Sequence, residues 1–395
     1  MKALDLEQER TAKSLGEGHR ILKGVVGSGK SLVLSCRAKY LKQLNPSWKI
    51  LIVCYNISLR NYLSSLIKFS GNDASLEGIS VNHFHGLVKE LTGVNLSKLD
   101  DENSSDYDKR VGDILKGKIA EGVVRKGQYD AILVDEGQDF TIEWMQGLSL
   151  LLNDKSDSLL FCYDPAQNVF NKPKPIWKEA GFKVQGRRPT LLKKSYRNTV
   201  ELLSIARIFN KMENVKTQED ENTIDNKLFP ELATDRHGEI PQLIKSASLE
   251  DICKNIIYQI KNLKVNSNIQ NMDIGILYEG ALFNVSDLLK NQYNLNDFDI
   301  DFYIIKSNDR NSKLNLDISK NTIKVMPIES CKGLEFKIVF FIGIDEMPRS
   351  YRDPDSERSL AFVAMTRAQD KLYIYYQHVN EFVKDLKEAI NNFSN

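Results

Sequence analysis

The sequence predicts an α/β fold with parallel sheets, divided into two domains. Short apolar runs alternate with amphipathic stretches, and several of the runs are continuously apolar, which is typical of strands covered on both faces. The length of 395 residues allows two or three domains, each with its own core. Because the alternation restarts after about Pro189, we predict one domain at residues 1–188 and a second at residues 189–395.

The individual elements follow from these runs. Strands are predicted at HRILKGV, KILIVC, DAILVD, SLLFCY, DIGILYE, DFYIIK, TIKVMP, KIVFFIGI and KLYIYY. Helices are predicted at residues 30–44, 58–69, 141–152 and 200–212. Two segments interrupt the pattern. Residues 93–128 predict a small helical insertion, and the acidic, Asn-rich residues 213–238 predict a polar loop.

Composition excludes several classes of protein but names no partner. The formal net charge is only +1, so any basic surface for nucleic acid has to be local. The five cysteines are dispersed without a metal-binding pattern, which favours buried thiols in a reducing compartment. The N-terminal MKALDLEQER has no apolar core of a signal peptide, and no apolar run is long enough to cross a bilayer. We expect a cytoplasmic protein without a membrane partner.

The strongest motif is GVVGSGKS at residues 24–31, which matches GxxxxGK[ST] between a predicted strand and a predicted helix. Its glycines allow backbone N–H groups to close around phosphate oxygens, and the helix N-terminus adds positive potential. Lys30 would reach the β and γ phosphates, and Ser31 would offer its hydroxyl to Mg²⁺. The remaining residues expected around the phosphates are Gly24, Gly27, Ser28 and Gly29.

A second motif, DEGQD at residues 135–139, follows the apolar run ILV. Two adjacent carboxylates at the end of a strand, downstream of a phosphate-binding loop, are typical of a Walker B strand. Asp135 would hold Mg²⁺, and Glu136 would orient and deprotonate the attacking water. The two motifs together predict hydrolysis of a nucleoside triphosphate.

These two motifs resemble those of UvrD/Rep-like superfamily 1 helicases, and the other motifs of that family follow in the family's order. The resemblance runs from Gln8 to Lys371. In detail, the sequence is similar to the helicase portion of nuclease-related-domain helicases. The further stretches are LDLEQER around Gln8, CYN at 54–56, HFHG at 83–86, DPAQ at 164–167, SYRN at 195–198, KGLEF at 332–336 and VAMTRA at 363–368.

The resemblance implies two RecA-like domains with ATP and Mg²⁺ in the cleft between them. In the first domain it implies that Gln8 reads the adenine and that Gln167 senses the γ-phosphate. In the second domain it implies that Tyr196 stacks on the adenine and that Arg197 reaches the γ-phosphate.

Two further stretches of the second domain acquire roles in the same way. The resemblance implies that Gly333 and Glu335 bind ATP, with Glu335 contacting the ribose, and that Arg367 is the arginine finger. Arginines of this kind neutralise the charge that develops on the transferred phosphoryl group.

For nucleic acid, the resemblance points to Tyr55, Asn56, His85 and Phe170 as contacts, with aromatic faces for unpaired bases. The chain departs from the family at two places. Phe170 is the only aromatic residue where the family often has a Trp, and the stretch PIESC at 327–331 lacks the usual His. Both departures fall on nucleic-acid or coupling elements rather than on the ATP site.

The spacing of the motifs also predicts what the chain lacks. Residues 85–130 leave room only for a short helical piece. Most of residues 198–322 is needed for the second domain itself, as PQLIKSAS, DIGILYE, DFYIIK and the helices between them, so little or no accessory 2B domain is expected. The resemblance implies 3′-to-5′ movement on single strands, with DNA favoured over RNA, in DNA repair or antiphage defence. Two alternatives stay open: a regulatory ATPase that senses nucleic acid and controls a partner nuclease or defence protein, and, more remotely, a P-loop kinase or nucleotide-binding module.

Overall fold

The structure is a computed structural model that describes residues 6–68, 76–164, 177–184, 189–211, 234–280, 282, 284–292, 295–306, 309–350 and 353–394. The chain divides into two compact units, Met1–Lys193 and Lys194–Asn395. This division lies a few residues beyond the predicted boundary at 188/189. Each unit contains one parallel sheet, so the predicted α/β class with parallel sheets is confirmed.

The sheet of the first unit has six described strands in the order β3-β2-β4-β5-β1-β6, and every neighbouring pair is parallel. Strands β2, β4 and β5 are buried along their whole length, which explains their continuous apolar sequences. The strands are β1 (His19–Gly24), β2 (Ile50–Cys54), β3 (Ile79–His83), β4 (Ala131–Val134), β5 (Ser158–Tyr163) and β6 (Thr190–Leu192).

Helices cover both faces of this sheet, and the two faces bury separate cores. Along β2, Leu51 and Val53 belong to one core with Trp144, whereas Ile50 and Ile52 belong to the other core. This alternation follows from the two-residue period of a strand. The helices are α1 (Leu6–Ser14), α2 (Lys30–Leu44), α3 (Ile57–Lys68), α4 (Phe84–Thr92), α5 (Ser104–Ala120) and α6 (Ile142–Leu151).

Helix α5 occupies the segment 93–128, where a small helical insertion is predicted. The side chain of Asn103 accepts hydrogen bonds from the N–H groups of Ser105 and Asp106 and so caps the start of the helix. Trp144 of α6 donates its indole N–H to the carbonyl of Asp108, at 2.6 Å. The insertion is therefore joined to the core of the first unit.

The sheet of the second unit also has six described parallel strands, in the order β7-β12-β11-β8-β10-β9. Alternate residues of β8, β10, β11 and β12 pack in the apolar core with one face of the helix at Leu249–Asn266. The strands are β7 (Gln242–Lys245), β8 (Ile274–Tyr278), β9 (Phe302–Ile304), β10 (Ile323–Pro327), β11 (Phe336–Ile342) and β12 (Ala368–Tyr376).

The helices of the second unit are short or amphipathic. Even the longest, α8, exposes Tyr258 and Val265 while its other face is buried. Within the described ranges, no helix combines the length and the apolar character that crossing a membrane requires. The helices are α7 (Val200–Phe209), α8 (Leu249–Asn266), α9 (Val285–Lys290), α10 (Arg310–Leu314), α11 (Pro354–Met365) and α12 (Glu381–Ser394). Of the predicted polar loop at 213–238, only residues 234–238 lie within the described residues.

The cysteines behave as small apolar side chains. Cys54, Cys162, Cys253 and Cys331 are buried, and Cys36 is half-buried. Burial raises the pKa of the Cys331 thiol to about 12, which keeps it protonated at neutral pH. All five thiols are free, as the dispersed spacing predicts.

A buried arginine joins three helices of the second unit. Arg358 on α11 lies between the rings of Phe209 and Phe382, with its guanidinium carbon 5.0 and 4.5 Å from their centroids. It donates to the carbonyl of Phe209 at 2.8 Å and lies 2.7 Å from a carboxylate oxygen of Asp385. Charge, stacking and hydrogen bonding therefore meet at one side chain that is 4% exposed.

We predict that Arg358→Ala destabilises the second unit by on the order of 3 kcal/mol, because it removes both ring contacts and the closer of two cations beside Asp385. Denaturant unfolding of the variant measures this cost. The matched control is Lys254→Ala, which removes an exposed ion pair with Glu250 and is expected to leave stability nearly unchanged. Equal costs for the two variants would contradict the prediction.

Candidate nucleotide-binding site

The first unit brings three loops to one edge of its sheet. Strands β4, β5 and β1 are consecutive in the sheet and parallel, so their carboxyl ends lie side by side. The residues that follow these strands are 135–139 after β4, Asp164 after β5 and the loop 24–31 after β1. Ligands of open α/β sheets bind at this kind of edge. The predicted residues Asp135, Glu136 and Lys30 are thus brought together.

The loop between β1 and α2 has a backbone that only glycine tolerates at several points. Gly27 and Gly29 have φ angles of 71° and 85°, in the left-handed region. A Cβ on Gly24 would lie 2.5 Å from the hydroxyl of Ser28 and 3.0 Å from Cγ of Lys30. Helix α2 begins at Lys30, so the loop lies against a helix N-terminus. The geometry is that of an anion-binding cradle.

Lys30 closes this loop from within. Its ammonium donates to the carbonyls of Gly24 and Val25, at 2.9 and 3.2 Å, and lies 3.5 Å from a carboxylate oxygen of Asp164. The side chain is buried, and a buried ammonium has to be paired. A phosphate entering the cradle would compete with these three partners for the same charge.

Gln8 lies across the outer side of the same loop. Its amide donates to the carbonyl of Ser28 at 3.0 Å, and a Cβ on Gly29 would collide with that amide. Helix α1, which carries Gln8, packs against α2, which begins at the loop. The residue predicted to read the adenine therefore also holds the phosphate loop in shape.

The first two carboxylates of DEGQD, Asp135 and Glu136, are held in different ways. Asp135 is fully buried and accepts a hydrogen bond from the N–H of Glu136 at 3.0 Å. Glu136 is held in the left-handed region, with φ 52°, an unusual conformation for this residue type. Burial, together with the charge of Glu136, raises the pKa of Asp135, whereas Ser31 and Lys30 oppose that rise. Because two adjacent buried carboxylates repel each other, a bound cation would stabilise them.

The residues present fit Mg²⁺ bound with a nucleotide. The second oxygen of Asp135 and the hydroxyl of Ser28 are buried and accept or donate no hydrogen bond within the part of the chain that the structure describes. In those same residues, no three His, Cys, Asp or Glu side chains converge as a metal site. Mg²⁺ is commonly held by one or two protein ligands together with phosphates and water, and Ser31 and Asp135 are a donor set of that size.

Sequence reasoning assigned no role to Gln138 or to the side chain of Asp164. Both are buried at the same edge, and Gln138 contacts Glu136 directly, at 2.5 Å. The sequence signal for Gln138 is its place in the DEGQD motif, two residues after Glu136. The predicted γ-phosphate sensor, Gln167, lies outside the described residues, as does Phe170.

In the second unit, the structure brings the three predicted segments 195–198, 333–335 and 366–368 together. Arg197 donates to the carboxylate of Glu335 at 2.9 Å. Asn198 is fully buried and donates to the carbonyls of Thr366 and Ala368, at 3.0 and 2.6 Å. The side chain of Tyr196 is half-buried, below the ammonium of Lys194 at 5.8 Å.

Arg367, predicted as the arginine finger, is 1% exposed in this structure. Its guanidinium donates to the carbonyls of Val363 and Leu334, at 2.9 and 3.3 Å. Gly333, with φ 83°, shapes the turn that presents the Leu334 carbonyl. The guanidinium is therefore held inside the second unit by backbone oxygens. The prediction that ATP binds between the two units stays a prediction.

The residues predicted to contact nucleic acid in the first unit have structural partners. The ring of Tyr55 stacks on Trp144 at 5.8 Å between centroids, and burial raises the pKa of its phenol. Asn56 accepts from the N–H of Leu59 at 2.7 Å, just ahead of α3. His85 stacks on Tyr107 at 5.1 Å. Packing or capping therefore accounts for each of these side chains, and their contact with nucleic acid stays a prediction.

We predict that Asn198→Asp destabilises the second unit by roughly 1–3 kcal/mol, because a carboxylate would face two buried carbonyls that now accept hydrogen bonds. Thermal or denaturant unfolding gives the value. The exposed Asn296 offers a matched control, and Asn296→Asp is expected to be near neutral. If Asn198→Asp were equally neutral, this residue would not hold the segments together.

Comparison with known proteins supports the same family as the motifs. Residues 284–379 match the UvrD-like helicase C-terminal domain. The chain is 39% identical over 74 residues to the ATP-dependent DNA helicase Rep of Buchnera aphidicola, which is 16% of this chain and 11% of that protein. It is 39% identical over 62 residues to the ATP-dependent DNA helicase PcrA of Bacillus subtilis, which is 14% of this chain and 8% of that protein.

A solved structure of the C-terminal domain of a possible DNA helicase from Lactobacillus plantarum WCFS1 covers 50% of this chain and 96% of its own. Its TM-score of 0.33 and identity of 15% are too low to support an argument. The chain spans only a small part of the length of the two curated relatives, 11% and 8%. The predicted resemblance to UvrD/Rep-like superfamily 1 helicases is confirmed as a similarity, which the family model places at residues 284–379.

Proposed function

We propose that this chain is an ATP-driven motor that moves 3′ to 5′ on single-stranded DNA. The single observation that supports it most is the meeting of the phosphate loop, Asp135 and Glu136 at one sheet edge. That arrangement supplies a phosphate cradle, a cation ligand and a base. The family supplies the rest of the proposal, since Rep and PcrA are named as ATP-dependent DNA helicases.

In the proposed reaction, the residues of the first unit bind and orient the nucleotide. Lys30 exchanges its carbonyl and Asp164 partners for the β and γ phosphates. Ser31 and Asp135 would hold Mg²⁺, which would neutralise phosphate charge. Glu136 takes a proton from water as the water oxygen bonds to the γ-phosphorus and the bond to the β,γ-bridging oxygen breaks, releasing ADP and phosphate.

We further propose that Arg197 and Arg367 stabilise the charge of the transition state. In this structure Arg197 is paired with Glu335, and Arg367 is held by two backbone carbonyls. Both guanidinium groups would have to leave these partners in order to reach a phosphate. A motor whose arginines engage only in one part of its cycle couples hydrolysis to movement in this way.

The architecture favours translocation over processive unwinding. Between residues 198 and 322, the described elements β7, β8 and β9, with their helices, belong to the sheet and core of the second unit. They do not form a separate compact unit, since the chain divides only into Met1–Lys193 and Lys194–Asn395. We propose two RecA-like domains with little or no 2B domain. We therefore propose a motor that translocates along single strands better than it unwinds long duplexes.

The ATPase prediction is tested by measuring turnover with Mg²⁺ and single-stranded DNA, single-stranded RNA or duplex. We expect stimulation by single-stranded DNA, loss of turnover in Lys30→Ala, and a loss of ~10²–10⁴-fold in Glu136→Gln with ATP binding retained. Wild-type turnover in Glu136→Gln would contradict the assigned base. DNA-stimulated turnover without strand displacement or translocation would favour the alternative, a regulatory ATPase acting on a partner nuclease or effector.

The cradle itself is tested by a pair of glycine variants. Gly24→Ala would press a methyl group onto Ser28 and Lys30, so we expect affinity for Mg²⁺·AMP-PNP to fall by about tenfold or more. Gly117→Ala lies in α5, where a Cβ meets nothing within 4 Å, and is expected to stabilise by about 0.5–1 kcal/mol with unchanged binding. Unchanged binding in Gly24→Ala would exclude this loop as the phosphate site.

Polarity is tested by displacement of streptavidin from biotinylated single strands. A 3′-to-5′ motor clears streptavidin from the 5′ end, and binding to the strand should weaken steeply with salt through counterion release. Clearance only from the 3′ end would reverse the proposed polarity.

A further inference from the structure

Gln138 has an amide whose two ends make different contacts. Its nitrogen donates to Glu136 Oε2 at 2.5 Å, and its oxygen accepts from the backbone N–H of Asp164 at 3.0 Å. A carboxylate can only accept and an N–H can only donate, so these two partners fix the orientation of the amide. The side chain is 8% exposed, which holds both contacts in the interior of the first unit.

Asp164 connects the same amide to the phosphate loop. Its backbone N–H contacts Gln138, while its carboxylate lies 3.5 Å from the ammonium of Lys30. The contacts run from Lys30 through Asp164 and Gln138 to Glu136, and all four side chains are buried. Two ends of the reaction site, the phosphate-binding ammonium and the base, are thus joined by one continuous set of polar contacts.

The backbone of Glu136 does not by itself fix the position of its carboxylate, so a side-chain contact is needed to hold it. A non-glycine residue with φ 52° is strained, and its short turn ends at Asp139. A glutamate also loses several rotamers when it is held in one position. The contact with Gln138 selects the rotamer of Glu136, and general-base catalysis depends on that position within hydrogen-bond distance of the water.

We propose that Gln138 is a positioning residue that holds the Glu136 carboxylate for attack by water and ties its position to Asp164, the counter-ion that phosphate displaces from Lys30. The proposal rests on the ATPase activity proposed above. Gln138 does not touch the reacting atoms, so it acts only through Glu136. Its removal should slow turnover without weakening the binding of nucleotide.

The test is a double-mutant cycle on kcat, combined with the affinity for Mg²⁺·AMP-PNP. Gln138→Ala is expected to lower kcat by about tenfold or more in the wild-type background and to leave AMP-PNP affinity within about twofold. In a Glu136→Gln background, measured in single turnover, Gln138→Ala is expected to cause no further loss, because its target is already gone. Equal losses in both backgrounds, or a parallel loss of AMP-PNP affinity, would overturn the proposal.

Two more variants keep the test decisive. Gln138→Glu retains the side-chain length and the oxygen facing Asp164 but replaces the donor facing Glu136, so it should lose kcat as Gln138→Ala does even if Gln138→Ala folds poorly. Gln146→Ala removes another glutamine with two hydrogen bonds, to Lys116 and Glu179, and should retain full turnover. A normal kcat in Gln138→Glu would overturn the role proposed for Gln138 and leave the proposed function standing. An inactive wild-type chain would overturn the proposed function.

Discussion

The order of three parallel strands is the constraint on which the rest of the candidate site depends. Because β4, β5 and β1 are neighbours and point the same way, every polar loop at their carboxyl ends faces the same edge. The phosphate loop, the DEGQD turn and Asp164 come from distant parts of the sequence and would otherwise have no reason to meet. Because the apolar strands β4 and β5 are buried along their whole length, the positions of their carboxyl ends are tightly constrained.

Burial then determines the chemistry of that edge. Lys30, Asp135, Glu136 and Asp164 are all buried, and charges removed from water have to find partners. The ammonium of Lys30 finds carbonyls and Asp164, but Asp135 keeps one oxygen without a hydrogen bond in the described residues, and burial raises its pKa. A site with these properties is stabilised when a cation and phosphate oxygens arrive together, which links binding to the stability of the first unit.

Sequence patterns predicted the parallel-sheet class and strands near nine observed ones, because their apolar runs are long and buried. They missed β3 and β6, which are half-exposed and only five and three residues long and so leave a weak pattern, whereas β7 lies within PQLIKSAS, a stretch already assigned to the second domain. The motifs predicted that Lys30 and Glu136 act in one ATPase site, but they could not show the amide bridge of Gln138. They also could not show that Arg367 is enclosed by carbonyls or that Tyr55 stacks on Trp144, since tertiary packing decides both.

The central claim is that one nucleotide is bound by the three loops at the ends of β1, β4 and β5. Hydrogen–deuterium exchange of the full chain, with and without Mg²⁺·AMP-PNP, tests it most directly. We expect the backbone amides in residues 24–33 and 135–139 and at Asp164 to gain protection together, at the same nucleotide concentration. Saturating nucleotide that leaves these three segments unchanged, or that protects the loop 24–31 without the other two, would contradict it.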